Sequence, residues 1–185
     1  MAGKILIDDN DINNYSFDTI KKKVTITNNN YFFLNKSIKD NLTLGNDIEE
    51  DKIMEALKLS NAYDFVMAKG GLDVLVSQGA TNFSGGEKER LQIARAILTD
   101  ADILIFDASL SALDNITMHK TIDNLLSLKK TLIIASDRVF GLEKCDRIMV
   151  LDNNQISGFS SHDTLMKENK LYQDIYNLNK RGDNK

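Results

Sequence analysis

Proline is missing from the 185 residues, and no tandem repeat or low-complexity linker interrupts them. Nothing therefore marks a division into independent units joined by a spacer. Cysteine occurs once, at Cys145. An intrachain disulfide is excluded, and a reducing compartment is expected. No apolar run reaches the ~20 residues that a bilayer-spanning helix needs, and no signal-peptide core follows Met1-Ala2-Gly3-Lys4. The chain is expected to be soluble, with any tie to a membrane made through a partner or a segment outside it. A basic excess is also lacking. Lys and Arg number 23 against 27 Asp and Glu, a net charge of −4, which weighs against a nucleic-acid-binding surface. The two histidines, His119 and His162, do not stand at metal-ligand spacing from Cys145.

What is present is an ordinary apolar fraction, 42% of residues, enough for one core or for one domain in two lobes. Short apolar runs recur at Lys4–Ile7, Lys23–Thr27, Ile103–Phe106, Leu132–Ala135 and Ile148–Leu151. Rich in Ile, Leu and Val and bounded by Asp or Asn, they read as buried strands, expected to be parallel. Amphipathic stretches near 49–59, 85–98, 115–128 and 163–178 read as helices. Strand and helix alternate in the second half, which implies an α/β sheet. Residues 30–100 break the alternation and read as an inserted helical lobe. The expected division is a core of 1–29 and 101–180, a helical lobe of 30–100, and a frayed polar tail of 181–185. The run Lys21-Lys22-Lys23 reads as a solvated strand edge.

The most informative stretch runs from Asn82 to Leu98, NFSGGEKERLQIARAIL. Ser84 to Glu87 spells S-x-x-E, a capping box, and any helix could start that way. The two glycines between them cost helix stability, and they leave backbone amides bare at the positive end of the helix dipole. A hydroxyl beside two bare amides makes a phosphate cradle. Capping and phosphate binding both remain open on this segment by itself.

The segment resembles the signature motif of the ABC ATPases, with Phe83 and Glu87 varying its first and last positions. The continuation Ile93-Ala94-Arg95-Ala96 is similar to the transporter branch. Asp107 then closes the apolar run Ile103–Phe106, nine residues after Leu98, and looks like the Walker B aspartate. A strand-capping Asp is common by itself, but a carboxylate at a strand's C-terminal end sits where α/β sheets bind ligands. The resemblance implies that it holds Mg²⁺ through water. Ser111-Ala112-Leu113-Asp114 matches the family's D-loop. Gly71-Leu72-Asp73-Val74 to Gly79, Cys145 to Asp152, and Ser161-His162-Asp163-Thr164-Leu165 follow the exporter pattern. Several motifs in order are specific where each is weak, and together they cover residues 3–178.

Within that resemblance, key groups are missing. No G-x-x-x-x-G-K-[ST] occurs, so the phosphate loop and its lysine are not in this sequence. Either the chain is a piece of a longer transporter, the favoured reading, or it is a shortened pseudo-domain. Ala108 stands where the family has its catalytic glutamate, and a methyl group cannot orient or deprotonate water. Asp137 falls at the switch-histidine position, where an ionised carboxylate would repel a γ-phosphate. Asn29 aligns with the Q-loop glutamine, with Asn28 and Asn30 as alternatives. Tyr31, Phe32 and Phe33 sit where the Q-loop meets transmembrane coupling helices, although helical-lobe core is the plainer reading for at least one of them.

The resemblance thus implies a RecA-like parallel-sheet core without its phosphate-loop strand, plus a helical lobe. It implies the nucleotide-binding domain of an exporter at the cytoplasmic face of a membrane, with ATP and Mg²⁺ as cofactors. Its partners would be a transmembrane domain and a second, heterodimeric nucleotide-binding domain. Ser84, Gly85, Gly86 and Glu87 would then bind ATP in trans, while the chain alone would be inactive. The run Asp107 to Asp114, DASLSALD, is similar to the degenerate halves of heterodimeric exporters. A non-catalytic pseudo-domain serving as an interaction module is the alternative. A chromosome-maintenance ATPase is disfavoured by the acidic charge and the absence of coiled-coil heptads. Ser84 and Gly86 are both expected to be exposed at the helix start.

Overall fold

The computed structural model describes residues 3–30, 32–139 and 141–182, without the side chains of 181 and 182. Its centre is a parallel three-stranded sheet built from β3 (Val24–Asn28), β4 (Ile103–Asp107) and β5 (Thr131–Ala135), in the order β3-β4-β5. Two short antiparallel hairpins stand apart from it: β1 (Leu6–Ile7) with β2 (Asn10–Asp11), and β6 (Ile148–Asp152) with β7 (Gln155–Ser160). The helices are α1 (Phe17–Lys23), α2 (Ile38–Thr43), α3 (Glu50–Leu59), α4 (Tyr63–Lys69), α5 (Gly85–Leu98), α6 (Asn115–Ser127), α7 (His162–Glu168) and α8 (Lys170–Gly182).

Two of the five expected strands are not parallel. The apolar run at Ile148–Leu151 pairs antiparallel with β7, and Lys4–Ile7 contributes only β1 of a two-residue pairing. The reason lies in the turns. Asp8 and Asp9 have φ of 49° and 62°, and Asn153 and Asn154 have 46° and 61°. Two consecutive residues at positive φ make the tight turn whose twist suits a hairpin, and Asp and Asn tolerate that region best after glycine. The lysine run is also corrected. Lys21, Lys22 and Lys23 form the last turn of α1, which Ser16 caps by accepting from the Thr19 amide; cations there complement the helix dipole. The single helix expected over 163–178 is two, broken at Asn169, whose side chain accepts from the Tyr172 amide at 2.9 Å and donates to the Ser157 carbonyl at 3.0 Å. The expected tail begins inside α8, which runs to Gly182.

The register puts Leu104 and Leu132, and beyond them Thr27, Phe106 and Ile134, on one face of the sheet. That face is covered: Phe106 is fully buried among Ile93 and Ala96 of α5 and Met118, Ile122 and Leu125 of α6. The opposite face carries Ile26, Ile105 and Ile133 in one row across all three strands. There Ile26 is 64% exposed and Ile133 51%. Parallel sheets are normally buried on both faces, and covering a Leu or Ile contributes about 2 kcal/mol. The sheet is thus incomplete, with a bare apolar face and a β5 edge that pairs with no strand among the described residues.

A second cluster, Ile38, Leu42, Ile53, Leu57, Val66, Val76, Phe83 and Leu91 among others, is built wholly from the helical stretch between β3 and β4. The segment α5 belongs to both cores, with Leu91 and Ala94 facing one and Ile93 and Ala96 the other. Behind α6 the chain turns at Gly141, with φ of 82°, where an added Cβ would lie 2.5 Å from Cδ1 of the buried Ile122. Gly141→Ala is expected to lower stability by about 2 kcal/mol through combined backbone strain and overpacking, read as a shift of the urea midpoint.

Candidate functional site

The helix α5 begins as its sequence dictates. Ser84 Oγ accepts from the Glu87 amide at 3.2 Å, and Glu87 Oε2 accepts from the Ser84 amide at 2.8 Å, closing the capping box. The cap uses an acceptor lone pair of Ser84 and leaves its O–H free to donate. It also leaves the amides of Gly85 and Gly86 without intrahelical partners. Ser84 and Gly85 are exposed. Lys69, on α4, lies 3.4 Å from Glu87 Oε1 and over the Phe83 ring. It offsets the one negative charge at the helix start, a contribution that sequence inspection missed because Lys69 is remote in the chain.

The expectation that Gly86 stands exposed is corrected. Gly86 is half-buried, and a Cβ there would lie 3.1 Å from the Ala112 carbonyl; one at Gly85 would touch the Ala112 side chain at 3.4 Å. The helix start rests on the segment Ser111–Asp114, so these glycines permit a close approach of two backbones as well as baring amides. Gly86→Asp would therefore disturb local packing and is not a clean probe of ligand binding.

Asp107 ends β4 and is exposed; its register neighbours are Asn28 on β3 and Ala135 on β5. Asn29, next to Asn28, is exposed too, as is Asp137 two residues after Ala135. The structure thus gathers Asp107, Asn29 and Asp137 at the C-terminal ends of the three parallel strands. Ala108 has φ of 53°, a left-handed conformation costly for a residue with a Cβ; its amide donates to the Ala135 carbonyl at 3.0 Å. Ser109, buried behind it, accepts from Thr27 Oγ1 at 2.8 Å and fastens this turn to β3. Among the described residues, no cluster of three His, Cys, Asp or Glu could hold a metal by itself.

In the segment after β4, Ala112 and Ser111 are exposed, Leu113 is buried, and Asp114 caps α6. Asp114 accepts from Thr117 Oγ1 at 2.7 Å and from the Thr117 amide at 2.9 Å. These bonds, the Thr117 hydroxyl first, hold its carboxyl below the usual aspartate range.

Two ionic residues close around this segment. Glu89, fully buried on α5, accepts from the Ala112 amide at 2.9 and 3.0 Å. Arg138 donates to the Leu113 carbonyl at 2.7 Å and the Ser111 carbonyl at 3.3 Å, and also to Asn115 Oδ1. Neither was singled out from sequence. Glu89 could have been, because it shares the i, i+4, i+7 stripe of the buried Ile93 and Ala96. Arg95 performs a similar task at the far end of α5, donating to the Asn41 carbonyl at 2.8 Å and the Phe32 carbonyl at 3.0 Å and stacking on Phe33. Phe33 packs into the helical cluster, whereas Phe32 is 65% exposed; Tyr31 lies outside the described residues. His119 is half-buried 3.9 Å from Glu143, and His162 Nδ1 lies 2.8 Å from the Tyr172 hydroxyl.

A parallel α/β core with an inserted helical lobe, a glycine-rich capped helix start and a carboxylate at the central strand's end defines a RecA-like nucleotide-binding unit. Comparison with known proteins agrees. The ABC transporter family model matches residues 1–111. The ATP-dependent lipid A-core flippase of Alcanivorax borkumensis is 33% identical over 183 residues, covering 96% of this chain and 31% of the flippase. The flippase of Syntrophus aciditrophicus is 32% identical over 182 residues, covering 96% and 30%. The solved structure of a bacterial Atm1-family ABC exporter with ATP bound superposes with a TM-score of 0.87 at 29% identity, covering 94% of this chain and 31% of that one. The chain belongs to the ABC transporter family and corresponds to the nucleotide-binding domain of its exporters. It spans about a third of the length of the relatives it matches. No described helix is long and apolar enough to cross a membrane.

Proposed function

We propose that this chain contributes its signature turn and D-loop to an ATP site shared with a second, non-identical nucleotide-binding domain. In this reading, ATP-driven association of the two domains is coupled to transport by a transmembrane domain, at the cytoplasmic face of a membrane. The observation that carries the reading is the close approach of Gly85 and Gly86 to Ala112, which lays a helix start with bare amides against the proposed D-loop. Bare first-turn amides and a free hydroxyl suit a phosphate, and they would do so for a nucleotide presented from outside.

ATP and Mg²⁺ are the implied cofactors. Mg²⁺ is commonly held by one or two carboxylates together with the nucleotide's own phosphates, and an exposed Asp107 at the end of β4 fits that role. Ala108 and Asp137 support a degenerate hydrolytic site of this chain's own, because a methyl group cannot orient an attacking water and an ionised carboxylate at 137 would repel a γ-phosphate. The proposed division into a core of 1–29 and 101–180, a signature lobe of 30–100 and a tail of 181–185 is supported by the two separate apolar clusters joined through α5.

The chain by itself is expected to bind Mg-ATP more weakly than the micromolar range and to release no phosphate above background, because it lacks the phosphate loop. Calorimetric titration and a steady phosphate-release assay test both points. Micromolar affinity, or turnover abolished by Asp107→Ala, would sink the proposal.

A further inference from the structure

We propose that Glu89 and Arg138 are positioning residues for the shared ATP site, clamping the D-loop to the signature helix so that both present themselves as one rigid surface. The inference rests on the trans-site reading given above and adds the device that aligns it. A carboxyl group at full burial is costly unless its hydrogen bonds are met. Glu89 meets them on the D-loop, with both oxygens on the Ala112 amide and Oε1 within 3.3 Å of Ser111 Oγ. Moving the D-loop away from α5 would strip a buried carboxyl of these donors, so α5 and Ala112 are bound to move together.

Arg138 acts from the opposite side. It comes from the loop after β5, directly beside Asp137, and its guanidinium spans the D-loop carbonyls of Ser111 and Leu113 and reaches Asn115 at the start of α6. The D-loop is thus gripped through its amide by an acid on the signature helix and through its carbonyls by a base from the switch loop. The spacing leaves little slack, because the Ala112 carbonyl already lies within 3.1 Å of where a Cβ on Gly86 would be. A leucine at 89 would fill the same apolar stripe without an acceptor, whereas a glutamine keeps one.

The test uses the assembled transporter with its partner half, and hydrogen exchange at Ala112 as a local readout. Glu89→Leu is expected to lower kcat for ATP hydrolysis at the shared site by about tenfold to a hundredfold, the range that misplacement of catalytic elements by an ångström produces. KM for ATP should stay within about threefold, because Ser84 and the bare amides remain. Ala112 amide exchange should speed up while the exchange of the α5 interior is unchanged. Glu89→Gln should restore both kcat and protection to near wild type.

Arg138→Met loosens the D-loop from the other side without touching α5. It should give the same split of kcat from KM, and it carries the test if the leucine variant does not fold. Wild-type kcat in folded Glu89→Leu or in Arg138→Met would overturn the clamp, as would unchanged Ala112 exchange in folded Glu89→Leu. Ser84→Arg serves as the control: full activity in that variant would bring down the trans-site reading itself, whereas its inactivation alongside an active Glu89→Leu would remove only the clamp.

Discussion

Ser84→Arg is expected to reduce ATP hydrolysis and nucleotide-induced association of the assembled transporter about a hundredfold or more, while leaving this domain folded. The Ser84 side chain is exposed at the start of α5, so an arginine there meets no core. The local cost is the lost cap, about 1 kcal/mol, which the two apolar clusters seated on α5 can absorb. What is lost functionally is larger. The hydroxyl donor disappears, and a long side chain covers the amides of Gly85 and Gly86 that a phosphate would need. Removing a single preorganised donor from a site of this kind typically costs a hundredfold to a thousandfold in rate. Circular dichroism and the urea midpoint establish that the variant is folded, and phosphate release together with size-exclusion chromatography in the presence of ATP reads the effect. Wild-type turnover would mean that the signature segment is only a capped helix.

Phe106→Ala should cost about 3–5 kcal/mol of stability, whereas Ile26→Ala in the same sheet should cost under about 1 kcal/mol. Both are large apolar residues on neighbouring parallel strands. Phe106 is fully buried under α5 and α6, and its removal leaves a cavity that packed helices cannot collapse into. Ile26 lies on the bare face and has little packing to lose. Against the about 5–15 kcal/mol by which small domains are stable, the first change removes a large share and the second a small one. Urea titration followed by far-ultraviolet dichroism compares the two, and equal losses at both sites would contradict a sheet covered on one face only.

The helices over 50–59, 85–98 and 115–127 and the three parallel strands were legible because period and burial agree in them. The strand Ile103–Asp107 alternates with neighbours that bury the same face, and α5 announces its start with S-x-x-E. The hairpins were not legible as such, because Asp8-Asp9 and Asn153-Asn154 bound the apolar runs whether or not the chain reverses there. Pairing direction is a property of two segments, and the hydrophobic pattern of one segment cannot state it. Short helices such as α2 and α4 carry too few periodic positions to be recognised individually.

The sequence by itself determined the family, through the order and spacing of Ser84–Glu87, Asp107 and Ser111–Asp114. The departures proposed at Ala108 and Asp137 likewise rest on the sequence, since which atoms exist there is a matter of residue identity. Only the tertiary structure decided that the start of α5 and the segment Ser111–Asp114 lie against each other. The Ala112 carbonyl lies 3.1 Å from where a Cβ on Gly86 would be, Glu89 and Arg138 secure Ser111–Leu113, and Lys69 balances Glu87, and each of these pairs is distant along the chain. The physical reason is that capping and periodicity act within a few residues, whereas a buried carboxyl or guanidinium selects its partners by what folding brings within hydrogen-bond reach.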